Sequence, residues 1–128
     1  FRTAISAAAL AVAGTTAAQA DIMADYHSYT VGDMEFEGYV AYNSDLDETK
    51  GTVLIVHDWD GMTAYEERRA EMLAALGYTA FAIDVYGADT DPQGVDDYRA
   101  LSGALYGDRE TFRERLMGSI APARPGNT

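Results

Sequence analysis

Residues 54 to 61, LIVHDWDG, run four apolar side chains directly into His57, Asp58, Trp59, Asp60 and Gly61. An imidazole, two carboxylates and an indole at the tip of a buried strand are open to three readings. In the first, His57, Asp58, Asp60 and Asp84 offer nitrogen and oxygen ligands to a metal ion. Adjacent strand residues point to opposite faces, so His57 and Asp58 are poorly placed to share one ion, and no metal is expected. In the second the corner is structural: His57 hydrogen-bonds at the end of the sheet, Asp58 caps backbone donors, and Trp59 packs. The third is an oxyanion loop, in which a backbone N–H just past the strand holds a developing negative oxygen.

The flanking elements decide where such a corner sits. TVLIVHD, 52 to 58, is apolar on both faces, as a strand covered by helices on both sides is. A helix follows: Thr63 and Glu66 form a T-x-x-E capping box, and Gly77 is placed to end it. Tyr65, Met72, Leu73 and Leu76 fall on one face and predict its buried side. Glu66, Glu67, Arg68, Arg69 and Glu71 cover the rest, with the arginines expected to pair with neighbouring glutamates. YTAFAID, 78 to 84, is a second continuous apolar strand ending in Asp84. Strand, helix and strand make a βαβ unit, hence a parallel pair with a right-handed crossover. Ligands of open parallel sheets bind outside the carboxyl ends of the strands, so His57–Gly61 and Asp84–Gly87 should share the functional edge.

Upstream, 28 to 33 and 34 to 42 read as a hairpin turned at Gly32-Asp33, and 43 to 51 as a polar loop. Downstream, 85 to 94 is a turn-rich loop in which Tyr86 either lines a pocket or closes the strand end by packing. Asp91-Pro92 can open a helix with Tyr98, Leu101 and Leu105 on one face. Asp108 can cap another, with Phe112, Leu116 and Ile120 aligned. Ser102, Thr111 and Ser119 fall on these helices and read as surface residues. The pattern predicts one α/β domain over residues 21–120, with four strands and three helices. It stops where a further strand is due, and leaves an irregular tail at 121–128.

Residues 1–20 carry Arg2 as their only charge, then a small-residue apolar run ending in Ala18-Gln19-Ala20. That is the pattern of a signal peptide cleaved after Ala20, and the run is too short to span a bilayer. A periplasmic or secreted protein is expected, without membrane insertion after cleavage. The formal net charge is −12, which argues against nucleic acid as a partner. With no cysteine in the sequence, disulfides, thiolate metal sites and a cysteine nucleophile are excluded within these residues.

TVLIVHDWDGMTAYEERRAEMLAALGYTAFAIDVYG resembles the dienelactone hydrolase family of α/β-hydrolases. The likeness lies in a strand ending in His and an acid, then an aromatic and a glycine. A helix with paired Arg, LAALGY and an Asp-x-Tyr-Gly strand end complete it, and it continues loosely to about residue 120. It implies a three-layer α/β-hydrolase-like fold, truncated before the nucleophile strand, and hydrolysis of a small ester or lactone by acyl transfer. It implies no cofactor. Carried over by position, Asp58 is the acid beside the nucleophile, and the Trp59 backbone N–H belongs to the oxyanion hole. Tyr86 is a candidate for substrate binding. Asp58 stands where the family commonly has Glu, and Asp60 where it usually has an apolar or aromatic residue. No G-x-C-x-G or G-x-S-x-G occurs here, and no His follows residue 57. The triad of nucleophile, Asp and His is therefore missing from this chain, which is expected to be an inactive front half of the enzyme. The alternative is a non-catalytic exported α/β domain that binds a small ligand or partner at the same edge.

Overall fold

The computed structural model describes residues 20–124. Of the expected signal peptide, all but Ala20 lies outside the described residues. β1 (Ile22–Val31) and β2 (Met34–Asn43) form an antiparallel hairpin in register from Ile22 opposite Asn43 to Val31 opposite Met34. Gly32-Asp33 makes the turn, as the sequence predicts. β1 begins well before Ser28; residues 22–27 lie largely exposed and show no clean alternation that would mark them as a strand.

β3 (Thr52–Val56), α1 (Ala64–Ala75) and β4 (Thr79–Ile83) form the expected parallel βαβ unit, and β4 also pairs antiparallel with β2. The sheet order is β1-β2-β4-β3, so the sheet is mixed. β4 is buried along its whole length. Its contact with β2 is close: a Cβ on Gly38 would stand 2.6 Å from the Phe81 ring and 2.8 Å from the Ala82 carbonyl oxygen.

Several expectations need correction. β3 is not covered on both faces but forms an edge of the sheet, with Leu54 36% and Val56 48% exposed. β4, the last apolar strand, lies inside the sheet between β2 and β3. On one face Ile55 packs into the core beneath α1, whereas the face that carries Leu54 and Val56 stays open because α2 and α3 lie over other parts of the sheet.

The inward face of α1 is also different. Tyr65, Met72 and Leu76 are exposed, and Glu66, Ala70 and Ala74 are buried. The sheet beneath presents Tyr39, Ala41, Ala80 and Ala82, and small residues on both sides let the helix come close. Buried Glu66 is satisfied locally: its carboxylate accepts from the Thr63 N–H at 2.9 Å and the Thr63 hydroxyl at 2.7 Å. The capping box therefore places the helix start immediately after the corner. At the other end Gly77 N–H donates to the Ala74 carbonyl and Tyr78 N–H to that of Leu73, the double closure that stops a helix. Among the described residues Arg68 and Arg69 form no ion pair with the glutamates; Arg69 instead lies 4.9 Å over the Tyr65 ring.

α2 (Val95–Gly107) begins after Gly94 rather than at Asp91-Pro92. α3 (Arg109–Gly118) is capped by Asp108, whose side chain accepts from the Thr111 N–H. These helices supply Leu101, Leu105, Phe112 and Leu116 to the second core, against Tyr29, Phe36, Val40, Phe81, Ile83 and Val85. Ile120 lies past the end of α3 and is exposed, while Ala123 in the expected tail is buried in that core. The result is three layers: α1, the sheet, then α2 with α3.

Candidate active site

β3 and β4 run parallel, so residues 57–61 and 84–87 emerge side by side at their carboxyl ends. The first segment is a tight turn, closed by Gly61 N–H donating to the Asp58 carbonyl at 3.1 Å. Gly61 has φ +85°, a conformation that favours glycine. The second segment is organised by Asp84. Its carboxylate accepts from Tyr86 N–H at 2.8 Å and from Gly87 N–H at 3.1 and 3.2 Å, and its carbonyl accepts from the Tyr29 hydroxyl.

His57 joins the two segments. It is buried, with Nδ1 2.6 Å from the Asp58 carbonyl oxygen, and its Nε2 accepts from Val85 N–H at 3.1 Å. The Asp84 carboxylate lies 3.7 Å from Nε2. Burial works to lower the His57 pKa, but Asp84 and the Asp58 carbonyl outweigh it and leave the ring above its ordinary value of 6.5. Burial likewise works to raise the Asp84 pKa. There His57 and the Tyr86 and Gly87 N–H groups prevail and hold the carboxyl below its ordinary 3.8.

The Asp84 shift carries a stability consequence. A folded-state pKa below the unfolded one gives stability that is complete above the unfolded value and lost as pH falls through the folded value. Asp84→Ala strands two buried N–H groups and should cost about 2–4 kcal/mol at pH 7. Urea unfolding of both proteins at pH 7 and pH 2.5 should show that gap narrowing in acid, and a gap constant with pH would contradict this role for the carboxylate.

The structure brings Asp58, Trp59 and Tyr86 to one cavity of about 360 Å3, which Ser102, Leu105 and Tyr106 also line. Asp58 is exposed, and its side chain accepts no hydrogen bond among the described residues, so it does not cap backbone donors. The Trp59 N–H also has no acceptor among the described residues. Its indole is 46% exposed, with its ring 5.6 Å from that of Tyr98. Tyr86 does both things foreseen for it: it lines the cavity and it packs, 4.7 Å from the His57 ring. Its hydroxyl also donates to the Trp59 carbonyl at 2.7 Å. Asp60 turns away into a neighbouring cavity with Thr63, Asp84 and Tyr98. Among the described residues no three His, Asp or Glu side chains group as a metal site.

Two contributors carried no sign of a place at the site in the sequence. Arg115 of α3 donates to the Val85 carbonyl at 2.7 Å, tying the helix layer to the end of β4. Tyr98, marked only by its place on the α2 face, supports the indole.

The family model for dienelactone hydrolases matches residues 36–123. The chain belongs to the dienelactone hydrolase family. No curated protein matches it. Among solved structures, this dienelactone hydrolase-family chain is similar to m3DLH, with 24% identity and a TM-score of 0.75 over 80% of this chain and 42% of that one. It is also similar to P91, a dienelactone hydrolase-like promiscuous phosphotriesterase from metagenomic libraries. There the identity is 23% and the TM-score 0.76, covering 83% of this chain and 44% of the other. A dienelactone hydrolase from Anabaena variabilis gives 16% and 0.59, over 83% and 47%. At these identities the likeness concerns the fold. The chain spans less than half the length of each of these structures. Among the described residues no helix is long and apolar enough to cross a membrane.

Proposed function

We propose that this chain carries the oxyanion corner and the first half of the sheet of an exported hydrolase of small esters or lactones. The observation that carries the reading is the Trp59 N–H, without an acceptor among the described residues, at the carboxyl end of β3 beside a cavity it shares with Asp58 and Tyr86. A donor fixed there before reaction costs no reorganisation when negative charge develops on a carbonyl oxygen. The Asp58 carboxylate, exposed and free of hydrogen bonds among the described residues, is left to act on a nucleophile. That nucleophile, with its Asp and His, would come from residues beyond Thr128, on a strand laid against the open edge of β3. Because one structure of similar fold is a promiscuous phosphotriesterase, a phosphotriester belongs beside p-nitrophenyl acetate and a small lactone in the substrate panel.

The test has two parts. The DNA after Thr128 should encode a G-x-C-x-G or G-x-S-x-G elbow in some frame, and the full-length product should hydrolyse at least one substrate of the panel. No elbow and no hydrolysis would favour a non-catalytic ligand-binding domain. For export, mass spectrometry of the periplasmic or extracellular product should find Asp21 at its N-terminus, and an uncleaved cytoplasmic product would contradict it.

A further inference from the structure

The Asp58 carbonyl and the Trp59 N–H belong to one peptide unit. The described residues contain no cis peptide, so this unit is trans and planar, and its N–H points opposite to its C=O. Whatever fixes the Asp58 carbonyl therefore fixes the direction of the Trp59 N–H. Two donors reach that oxygen: Gly61 N–H at 3.1 Å and, nearer, His57 Nδ1 at 2.6 Å.

The ring of His57 is itself oriented. Val85 N–H can only donate, so the lone pair it meets is on Nε2 and the ring proton is on Nδ1, facing the Asp58 carbonyl. Protonation at Nε2 would leave Nδ1–H in place, so the bond to Asp58 persists in either charge state of the ring. The next peptide is held as well, by the Tyr86 hydroxyl on the Trp59 carbonyl. Two successive peptide planes are pinned from the end of the sheet, although the side chains of Asp58 and Trp59 stand exposed.

We propose that His57 is a positioning residue for the oxyanion donor: its Nδ1–H, acting through the Asp58 carbonyl, aims the Trp59 N–H. This rests on the reading of that N–H as the oxyanion donor. With both ring nitrogens engaged by backbone groups, the imidazole acts through the peptide and is not the general base. Its effect is on transition-state geometry, so it should appear in kcat and not in KM.

Asn and Gln divide the two nitrogens of the ring. The amide of Asn can reach the position of Nδ1 and donate to the Asp58 carbonyl. Gln reaches the position of Nε2, where it can accept from Val85 N–H but leaves Asp58 without the ring donor. In the full-length enzyme acting on p-nitrophenyl acetate, His57→Gln should lower kcat by about tenfold or more with little change in KM. His57→Asn should restore much of that loss. The 128-residue chain gives a readout independent of activity, since Trp59 is its single tryptophan. His57→Gln should shift its emission to longer wavelength and raise its quenching by acrylamide, and His57→Asn should do so less. Long-range proton–nitrogen NMR of the unmodified chain should place the neutral ring's proton on Nδ1. An Nε2–H tautomer overturns the proposal without any variant having to fold, and so does unaltered Trp59 emission in the Gln variant. Altered emission with unaltered kcat overturns the oxyanion reading itself, and the proposal with it.

Discussion

The 128-residue chain should show no saturable turnover of p-nitrophenyl acetate or of a small lactone. An oxyanion donor without a nucleophile and base retains only a small part of the acceleration of a complete site. The deficit against a working hydrolase is then about a million-fold or more. The hydroxyls on hand do not repair it. Ser102 lines the cavity with Asp58 and Trp59, but it donates to the Tyr98 carbonyl at 2.7 Å within its own helix. Ser119 is buried and donates to the Leu116 carbonyl, and the Thr63 hydroxyl is bound to Glu66. His57, the one imidazole at the corner, has both nitrogens occupied by the backbone. The assay belongs on the monomeric fraction, because the open edge of β3, with Leu54 and Val56 exposed, invites strand pairing between copies. Saturable turnover abolished by Ser102→Ala would mean that this chain already holds a complete site.

The parts of the molecule that were legible in the sequence are those set by local rules. Thr63 and Glu66 announced the start of α1, Gly77 its end, and Asp108 the start of α3, because caps are satisfied within a few residues of themselves. The βαβ unit follows from two apolar runs and one helical pattern, and it places His57 and Asp84 at one edge. The inward face of α1 was not legible by the same means. Large apolar residues mark a buried face only when the partner leaves them room, and here the partner is a sheet face of small residues that selects Ala70 and Ala74. The cover over β3 failed for a related reason. Its apolar pattern on both faces predicts two covering layers, but among the described residues α2 and α3 leave Leu54 and Val56 exposed. At the candidate site, residue types marked Asp58, Trp59 and Tyr86, which the structure brings to one cavity. The Tyr86 hydroxyl on the Trp59 carbonyl and Arg115 on the Val85 carbonyl are contacts across many residues of chain, and no spacing rule encodes them.

Asp58→Asn in the full-length enzyme should lower kcat/KM by about a hundredfold or more, the range for a positioned proton-transfer group. The expectation comes from the contrast between Asp58 and its neighbours. Asp84 spends its carboxylate on backbone donors and Asp60 faces another cavity, whereas Asp58 borders the Trp59 cavity with its carboxylate free of such bonds. Asn keeps the shape and removes the charge, so a loss on that change isolates the charge. Asp58→Glu should be tolerated, since it preserves the charge and the family that this corner resembles commonly carries the longer acid. Trp59 should behave in the opposite way, because its contribution is a backbone group. Trp59→Phe should keep most of the activity, since phenylalanine retains the N–H and much of the ring contact with Tyr98. Trp59→Ala should cost more, through a loosened turn. A metal-dependent corner predicts another pattern: loss of activity in EDTA, recovery with a divalent ion, and joint loss on changing His57, Asp58 or Asp60. Unaltered activity in EDTA together with an intact Trp59→Phe enzyme and a crippled Asp58→Asn enzyme fits only a corner that works through one backbone N–H and one free carboxylate.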